Sequence, residues 1–320
     1  MRKTAILLGT VAAVLAIASC GSSTPAAPTA AAAPGAAKIT ITDAFGPVEL
    51  AAPATRVVSL EWTYTEELLA LGVAPVGVAD MGVYNDWVTA GPRVAETTLD
   101  VGTRQEPNLE TIASLKPDLI VGAADRFTSN LQSLKDIAPV LAFRWNDPAK
   151  PQLTTMRESF LALAEAVGKD AKASEVLAGL DATMASAKTK LSTVGKTFAL
   201  AYPAGGAGAA TVTVFAKPSL ASQILEAAGM TNGWTGTADG DGLSTVGVEA
   251  LTGLPADVNF LYVSPAGDDT FVKLADNKVW TGLPFVQAAH TYLLDPTPWF
   301  YGGPLSAEQL LTQTVATLVK

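Results

Sequence analysis

Short runs of β-branched and apolar residues alternate with helical patterns through most of the chain. Val57-Val58-Ser59-Leu60, Val76-Gly77-Val78 and Leu119-Ile120-Val121 are buried-strand patterns. Thr65–Leu71 and Asn108–Leu115 lie between them with helical spacing. Asn108 is a good N-cap, Lys116-Pro117 a stop, and Leu109, Ile112 and Ala113 share one face. Strand and helix in alternation predict a parallel α/β sheet. From about Gln152 to Ser192 there is no proline, and Ala, Leu, Met, Glu and Lys dominate. The spacing of Phe160, Leu161, Leu163, Ala164 and Val167 predicts one long helix, weakest at Gly168 and about 60 Å long if unbroken. The alternation then restarts. Phe198–Tyr202, Val212–Phe215, Phe260–Val263 and Tyr292–Leu294 are predicted strands, Ser219–Ala228 a helix stopped by Gly229, and Ser306–Val319 a closing helix. The fold class is therefore α/β, two Rossmann-like lobes with parallel sheets joined by one long helix. The lobes are placed at 38–151 and 193–320, with the linking helix at 152–192.

The first residues depart from this pattern. Arg2 and Lys3 precede an apolar run from about Ala5 to Ala16, then small residues up to Cys20. That run is too short to span a bilayer and reads as an export signal over 1–19. Ile17-Ala18-Ser19-Cys20 resembles a bacterial lipobox, which implies that Cys20 becomes a lipidated N-terminus. Residues 21–37 are Gly, Ser, Thr, Pro and Ala, the composition of a flexible tether. The protein is thus expected to be exported and held at the cell membrane, facing periplasm or cell exterior.

Charge and rare residues narrow the chemistry. The chain carries −9; loss of the leader leaves 19 basic against 30 acidic residues, or −11, which repels nucleic acid. One Cys and one His exclude a disulfide framework and a protein-built zinc or haem cluster. Val194-Gly195-Lys196-Thr197 lacks the leading glycine of a phosphate loop, because Lys190 stands there. Gly205-Gly206-Ala207-Gly208 is an incomplete dinucleotide fingerprint, and no G-x-S-x-G elbow occurs. His290 reads as a surface turn before a strand. No catalytic motif is found.

Trp87, Trp145, Trp234, Trp299 and Tyr301 fall in or beside predicted loops, as aromatics lining a cleft would. Beyond Arg2, all arginines lie between Arg56 and Arg157. Arg104 and Arg126 each follow a predicted strand, where ligands bind in open α/β sheets.

Val101-Gly102-Thr103-Arg104-Gln105-Glu106-Pro107-Asn108-Leu109-Glu110 and Leu115-Lys116-Pro117-Asp118-Leu119-Ile120-Val121 resemble the iron–siderophore periplasmic binding proteins of ABC importers, in their lipoprotein form. So do Ile137-Ala138-Pro139, the Trp280–Ala288 stretch and the Trp299–Ala307 stretch, the last two in a ferric-hydroxamate-type manner. The resemblance implies two lobes joined by a rigid helix, a Fe(III)–siderophore between them, and iron held by the siderophore without a cofactor or metal ligand of the protein. Arg104 would meet the chelating oxygens, and Trp87, Trp299 and Tyr301 would pack the chelate. Glu110 and Glu249 would dock on the permease, and the protein would be a monomer. Two positions depart from the hydroxamate pattern. Arg126-Phe127 replaces a cleft Tyr, and Asp239-Gly240-Asp241-Gly242 replaces a cleft Trp, so Arg126 and Asp241 join the candidate ligand contacts. The added arginine favours a more anionic, citrate- or carboxylate-type chelate, and the nearby acids oppose it. The siderophore stays open. A haem or cobalamin binder of the same fold, a carboxylate-dependent hydrolase and an adhesion module are the alternatives.

Overall fold

A computed structural model of the chain describes residues 38–204, 210–264 and 270–319. The leader, the tether and Cys20 lie outside the described residues. The chain enters through a hairpin, β1 (Ile39–Asp43) and β2 (Gly46–Leu50). The first lobe follows in the order β3 (Val57–Ser59), α1 (Trp62–Ala70), β4 (Gly77–Val78), α2 (Met81–Trp87) and β5 (Leu99–Asp100). α3 (Leu109–Ser114), β6 (Leu119–Ala123), α4 (Leu131–Lys135) and β7 (Val140–Phe143) complete it. The strands form one parallel sheet in the order β5-β4-β3-β6-β7. Every residue of β3, β6 and β7 is buried. Helices cover both faces of such a sheet, which is why these strands are apolar runs with little alternation. Asp118 anchors the turn before β6, accepting bonds from Thr55 N, Thr55 Oγ1 and Arg56 N at 2.8–3.1 Å. Burial would raise its carboxyl, but these donors outweigh burial and hold it below the usual range.

The segment expected to be one long helix is two. α5 (Gln152–Ala166) ends before Gly168, whose φ is +64°, and α6 (Asp170–Leu191) then begins. A left-handed glycine terminates a helix because it turns the chain at no steric cost. Here the chain folds back: Arg157 of α5 pairs with Asp181 of α6. α5 starts beside the second lobe, where Leu153 N meets Gln223 Oε1 at 2.8 Å, and ends in the first-lobe core with Phe160, Leu163 and Ala166. α6 crosses between the lobes. Its Ala173 and Leu177 pack in the first core; its Leu180, Met184, Ala187 and Leu191 pack in the second. The crossing element is thus about 33 Å long, roughly half the expected length.

The second lobe runs β8 (Thr197–Pro203), β9 (Thr211–Phe215), α7 (Leu220–Ala227), β10 (Thr231–Asn232) and β11 (Leu243–Gly247). β12 (Asn259–Tyr262), α8 (Thr270–Lys273), α9 (Lys278–Gly282), α10 (Pro284–Gln287), β13 (Thr291–Leu293) and α11 (Pro304–Leu318) follow. The sheet order is β11-β9-β8-β12-β13, with β10 beside β8. This sheet is mixed where a parallel one was expected: β8 and β12, and β12 and β13, are parallel, but β9 runs antiparallel to both β8 and β11. Only residues 204–210 separate β8 from β9. A parallel crossover needs a dozen residues or more, so this link can only turn back. α11 closes the fold across both lobes, with Leu305 against the first core and Ala307, Leu310 and Leu311 in the second.

Candidate functional site: an aromatic cleft with paired guanidiniums

Three loops at the C-terminal ends of first-sheet strands converge. After β3, Glu61 caps α1, its Oε1 accepting Trp62 N at 2.8 Å. After β5, the chain turns at Gly102 (φ +92°), bridges Gly102 to Pro107, and presents Arg104. After β6, the turn Ala124–Phe127 presents Asp125 and Arg126. The strand ends of a parallel sheet put unlike loops side by side, which suits them to a ligand.

Glu61 is the centre of the charge arrangement. Its Oε1 takes Arg104 Nη1 at 3.0 Å and its Oε2 lies 2.6 Å from Arg126 Nε. The second contact is poorly aligned for a hydrogen bond, so it acts as charge on charge. Asp80 holds Arg104 from the other side, accepting its backbone N at 3.0 Å and its Nε at 3.3 Å. Asp80 adopts φ +52° at the start of α2 and makes no side-chain cap there; the carboxylate is turned to the arginine instead. Arg104 Cζ stands 3.6 Å over the Trp62 ring, a cation–π contact on a buried indole.

Both lobes supply the aromatic wall. The loop after β13 carries Trp299, Phe300 and Tyr301 into α11. Trp299 lies 5.1 Å from Trp62, 6.2 Å from Trp87 and 5.2 Å from Tyr301. Tyr301 meets Trp145 edge-on at 5.8 Å and Tyr202 Oη at 3.4 Å. Burial drives the Tyr301 phenol well above its ordinary value. Thr63 Oγ1 donates to Tyr301 O at 2.6 Å, tying the wall to α1. Trp299 Nε1 is buried without a partner among the described residues. Two adjoining cavities of about 350 and 360 Å³ share Arg104, Trp299 and Tyr301. The first has a mixed lining and is also bounded by Glu61, Asp125, Arg126, Trp145 and Asp241; the second is apolar and bounded by Trp62, Trp87, Tyr202 and Pro298. A site this size, with one wall of guanidinium and another of indole, fits an oxygen-rich chelate with apolar arms.

Residues 57–298, three quarters of the sequence, match the periplasmic binding protein family. The chain belongs to this family. It is 32% identical over 261 residues to the iron(3+)-hydroxamate-binding protein FhuD of Escherichia coli, covering 79% of this chain and 83% of that one. It is 29% identical over 262 residues to the Fe(3+)-citrate-binding protein YfmC of Bacillus subtilis, covering 81% and 79%. The Vibrio cholerae siderophore-binding protein FhuD, solved with Fe3+–Desferal, superposes with a TM-score of 0.74 at 29% identity over 83% of this chain and 98% of that one.

Within this family member, Arg104, Arg126, Trp87, Trp299, Tyr301 and Asp241 all border the joined cavities. Trp87 is the last residue of α2, beside the loop that follows it. Trp234 does not reach the cleft. It is 6% exposed in the second-lobe core, with Nε1 donating to Ser244 Oγ at 2.9 Å. Glu110, in the first turn of α3, and Glu249, in the turn Val248–Gly253, are exposed and border neither cavity. Among the described residues no group of His, Cys, Asp and Glu could hold a metal ion. In the sequence Glu61 and Trp62 are marked by position alone: they follow the first predicted strand, as Arg104 and Arg126 follow theirs.

Proposed function

We propose that this chain is an extracytoplasmic solute-binding lipoprotein that captures a Fe(III)–siderophore in the cleft between its lobes and passes it to an ABC importer. The observation that carries this reading is Arg104, held between Glu61 and Asp80 at the floor of an indole-walled cleft. Its planar donors suit chelating oxygens, and Trp87, Trp299 and Tyr301 suit the apolar arms. The siderophore coordinates the iron, so the metal is cargo and the chain performs no reaction. The relatives that bind ferric hydroxamate and ferric citrate support this ligand class. Glu110 and Glu249, one exposed acid on each lobe, are the proposed permease contacts, and Cys20 the proposed lipid anchor.

Tryptophan fluorescence tests this. The protein is titrated with ferric hydroxamates, ferric citrate, ferric catecholates, haem and cobalamin, with iron-free chelators alongside. The expected result is saturable quenching by an iron-loaded siderophore, weakened on the order of a hundredfold by Arg104→Ala, the loss typical of about 3 kcal/mol. A response to haem or cobalamin alone would move the cargo out of this class.

A further inference from the structure

Two guanidiniums in a cleft suggest an anionic ligand, and the ion pairs cancel that suggestion. Arg104 and Arg126 share Glu61, and Arg104 also holds Asp80. These two cations and two anions sum to zero. Three carboxylates remain. Asp125 follows β6 on the first lobe, and Asp239 and Asp241 precede β11 on the second. Among the described residues, no ion pair includes any of the three. Asp241 Oδ1 takes only the neutral amide of Asn146, at 3.3 Å. Asp239 Oδ1 takes the backbone N–H groups of Asp241 and Leu243, each at 2.9 Å. Hydrogen bonds from neutral donors orient a carboxylate and leave its charge in place.

Two of these acids, Asp239 and Asp125, act on the third. Asp125 and Asp241 border the same cavity. The Asp241 carboxyl is pushed up, first by burial and further by the charges of Asp239 and Asp125, against the Asn146 hydrogen bond. The edge-on pair Trp145 and Tyr301 borders that cavity too, and aromatic faces attract cations. Uncompensated negative charge beside electron-rich rings is a receptor for an ammonium group.

We propose that the cleft selects its ferric chelate by charge, favouring one that bears a pendant amine, with the ammonium seated between Asp125 and Asp241 and the charge of Asp239 beside them. This rests on the reading of the cleft as a ferric-siderophore pocket and goes beyond it by fixing the sign of the cargo. Polyanionic citrate and tris-catecholate complexes are repelled, because the arginines that would receive them are already paired.

The test uses two chelates that differ only in charge. Fe(III)–Desferal carries a free primary amine; its N-acetylated form keeps the iron centre and loses the cation. Affinities are measured by fluorescence and calorimetry at low and high sodium chloride, with ferric citrate and a ferric tris-catecholate as anionic probes. The amine form is expected to bind at least tenfold tighter than the acetylated form at low salt. That ratio should shrink at high salt, as screening requires. It should also fall toward one in Asp125→Asn/Asp241→Asn. Equal affinity for the two Desferal forms, tighter binding of an anionic chelate, or a ratio unchanged in the double variant overturns the charge selection alone. Failure of every ferric chelate to bind overturns the siderophore reading, and the selection falls with it.

Discussion

Glu66 is wholly buried on α1 and reaches 240 positions along the chain to hold the start of α11. Its Oε1 accepts Ser306 N at 2.9 Å and its Oε2 accepts Ser306 Oγ, with backbone donors at Gly303 and Leu305 adding to the cradle. Burial nevertheless dominates and raises its pKa from 4.5 to about 7. The folded state therefore binds a proton that the unfolded state releases between those values. The stabilisation is complete below pH 4.5 and is lost as pH rises through about 7. At about 1.4 kcal/mol for each tenfold change in proton affinity, the loss comes to about 3 kcal/mol. Glu66→Gln keeps the size and the acceptor while removing the ionisation. Urea unfolding across pH 4–8.5 should give a wild-type minus variant difference that declines by about 3 kcal/mol through this window. The neighbouring Glu67 is also raised, by burial first and by Glu66 next, so Glu66→Gln is repeated in a Glu67→Gln background to separate them. A difference curve flat in both backgrounds would mean that Glu66 ionises alike in folded and unfolded chains, and the reasoning from its burial would fail.

Three further outcomes follow from the site. Glu61→Gln leaves Arg104 and Arg126 without their shared carboxylate; breaking a buried pair costs roughly 3–5 kcal/mol, and partial exposure of Arg126 reduces the expected loss of unfolding free energy to about 2 kcal/mol. Gly102→Ala places a Cβ 2.9 Å from Asn108 N and Glu106 O at φ +92°, so it should destabilise by about 2 kcal/mol in thermal unfolding and weaken ligand binding by shifting Arg104. Trp299→Ala removes the ring that touches Trp62, Trp87 and Tyr301, and ligand-induced quenching should fall more than it does in Trp234→Phe, whose ring lies in the core.

Local pattern carried the first lobe well. Val57-Val58-Ser59 and Leu119-Ile120-Val121 are strands because a sheet covered on both faces needs apolar side chains at every position, and such runs are visible in sequence. The break at Gly168 was visible as a weak point only. Helix formers continue on both sides of it, and the contact that accompanies the fold-back, Arg157 of α5 with Asp181 of α6, joins residues 24 positions apart. Strand composition does not distinguish a parallel from a mixed second sheet; the short link between β8 and β9 does. Glu66 and Glu67 lie inside a helical pattern and look like an exposed pair. Their hydrogen-bond partners, Ser306 and Ser159, stand on distant elements, which no local window contains.

The arginines show the same limit in the site itself. Arg126 was legible as a residue beside the cleft, because it follows a parallel strand. Its meaning as free positive charge was not, because charge in a pocket belongs to a neighbourhood. Glu61 sits 65 positions before Arg126 and 43 before Arg104, and takes one guanidinium on each carboxylate oxygen. A partner that neutralises also positions: Glu61 fixes where the donors point while removing their long-range attraction. Short-range bonding to chelating oxygens and long-range choice of cargo charge thus fall to different residues. On the proposed function, Arg104 would serve the first. On the proposal above, Asp125 and Asp241, with Asp239 beside them, would serve the second, and counting the arginines alone would then misjudge the sign of the cargo.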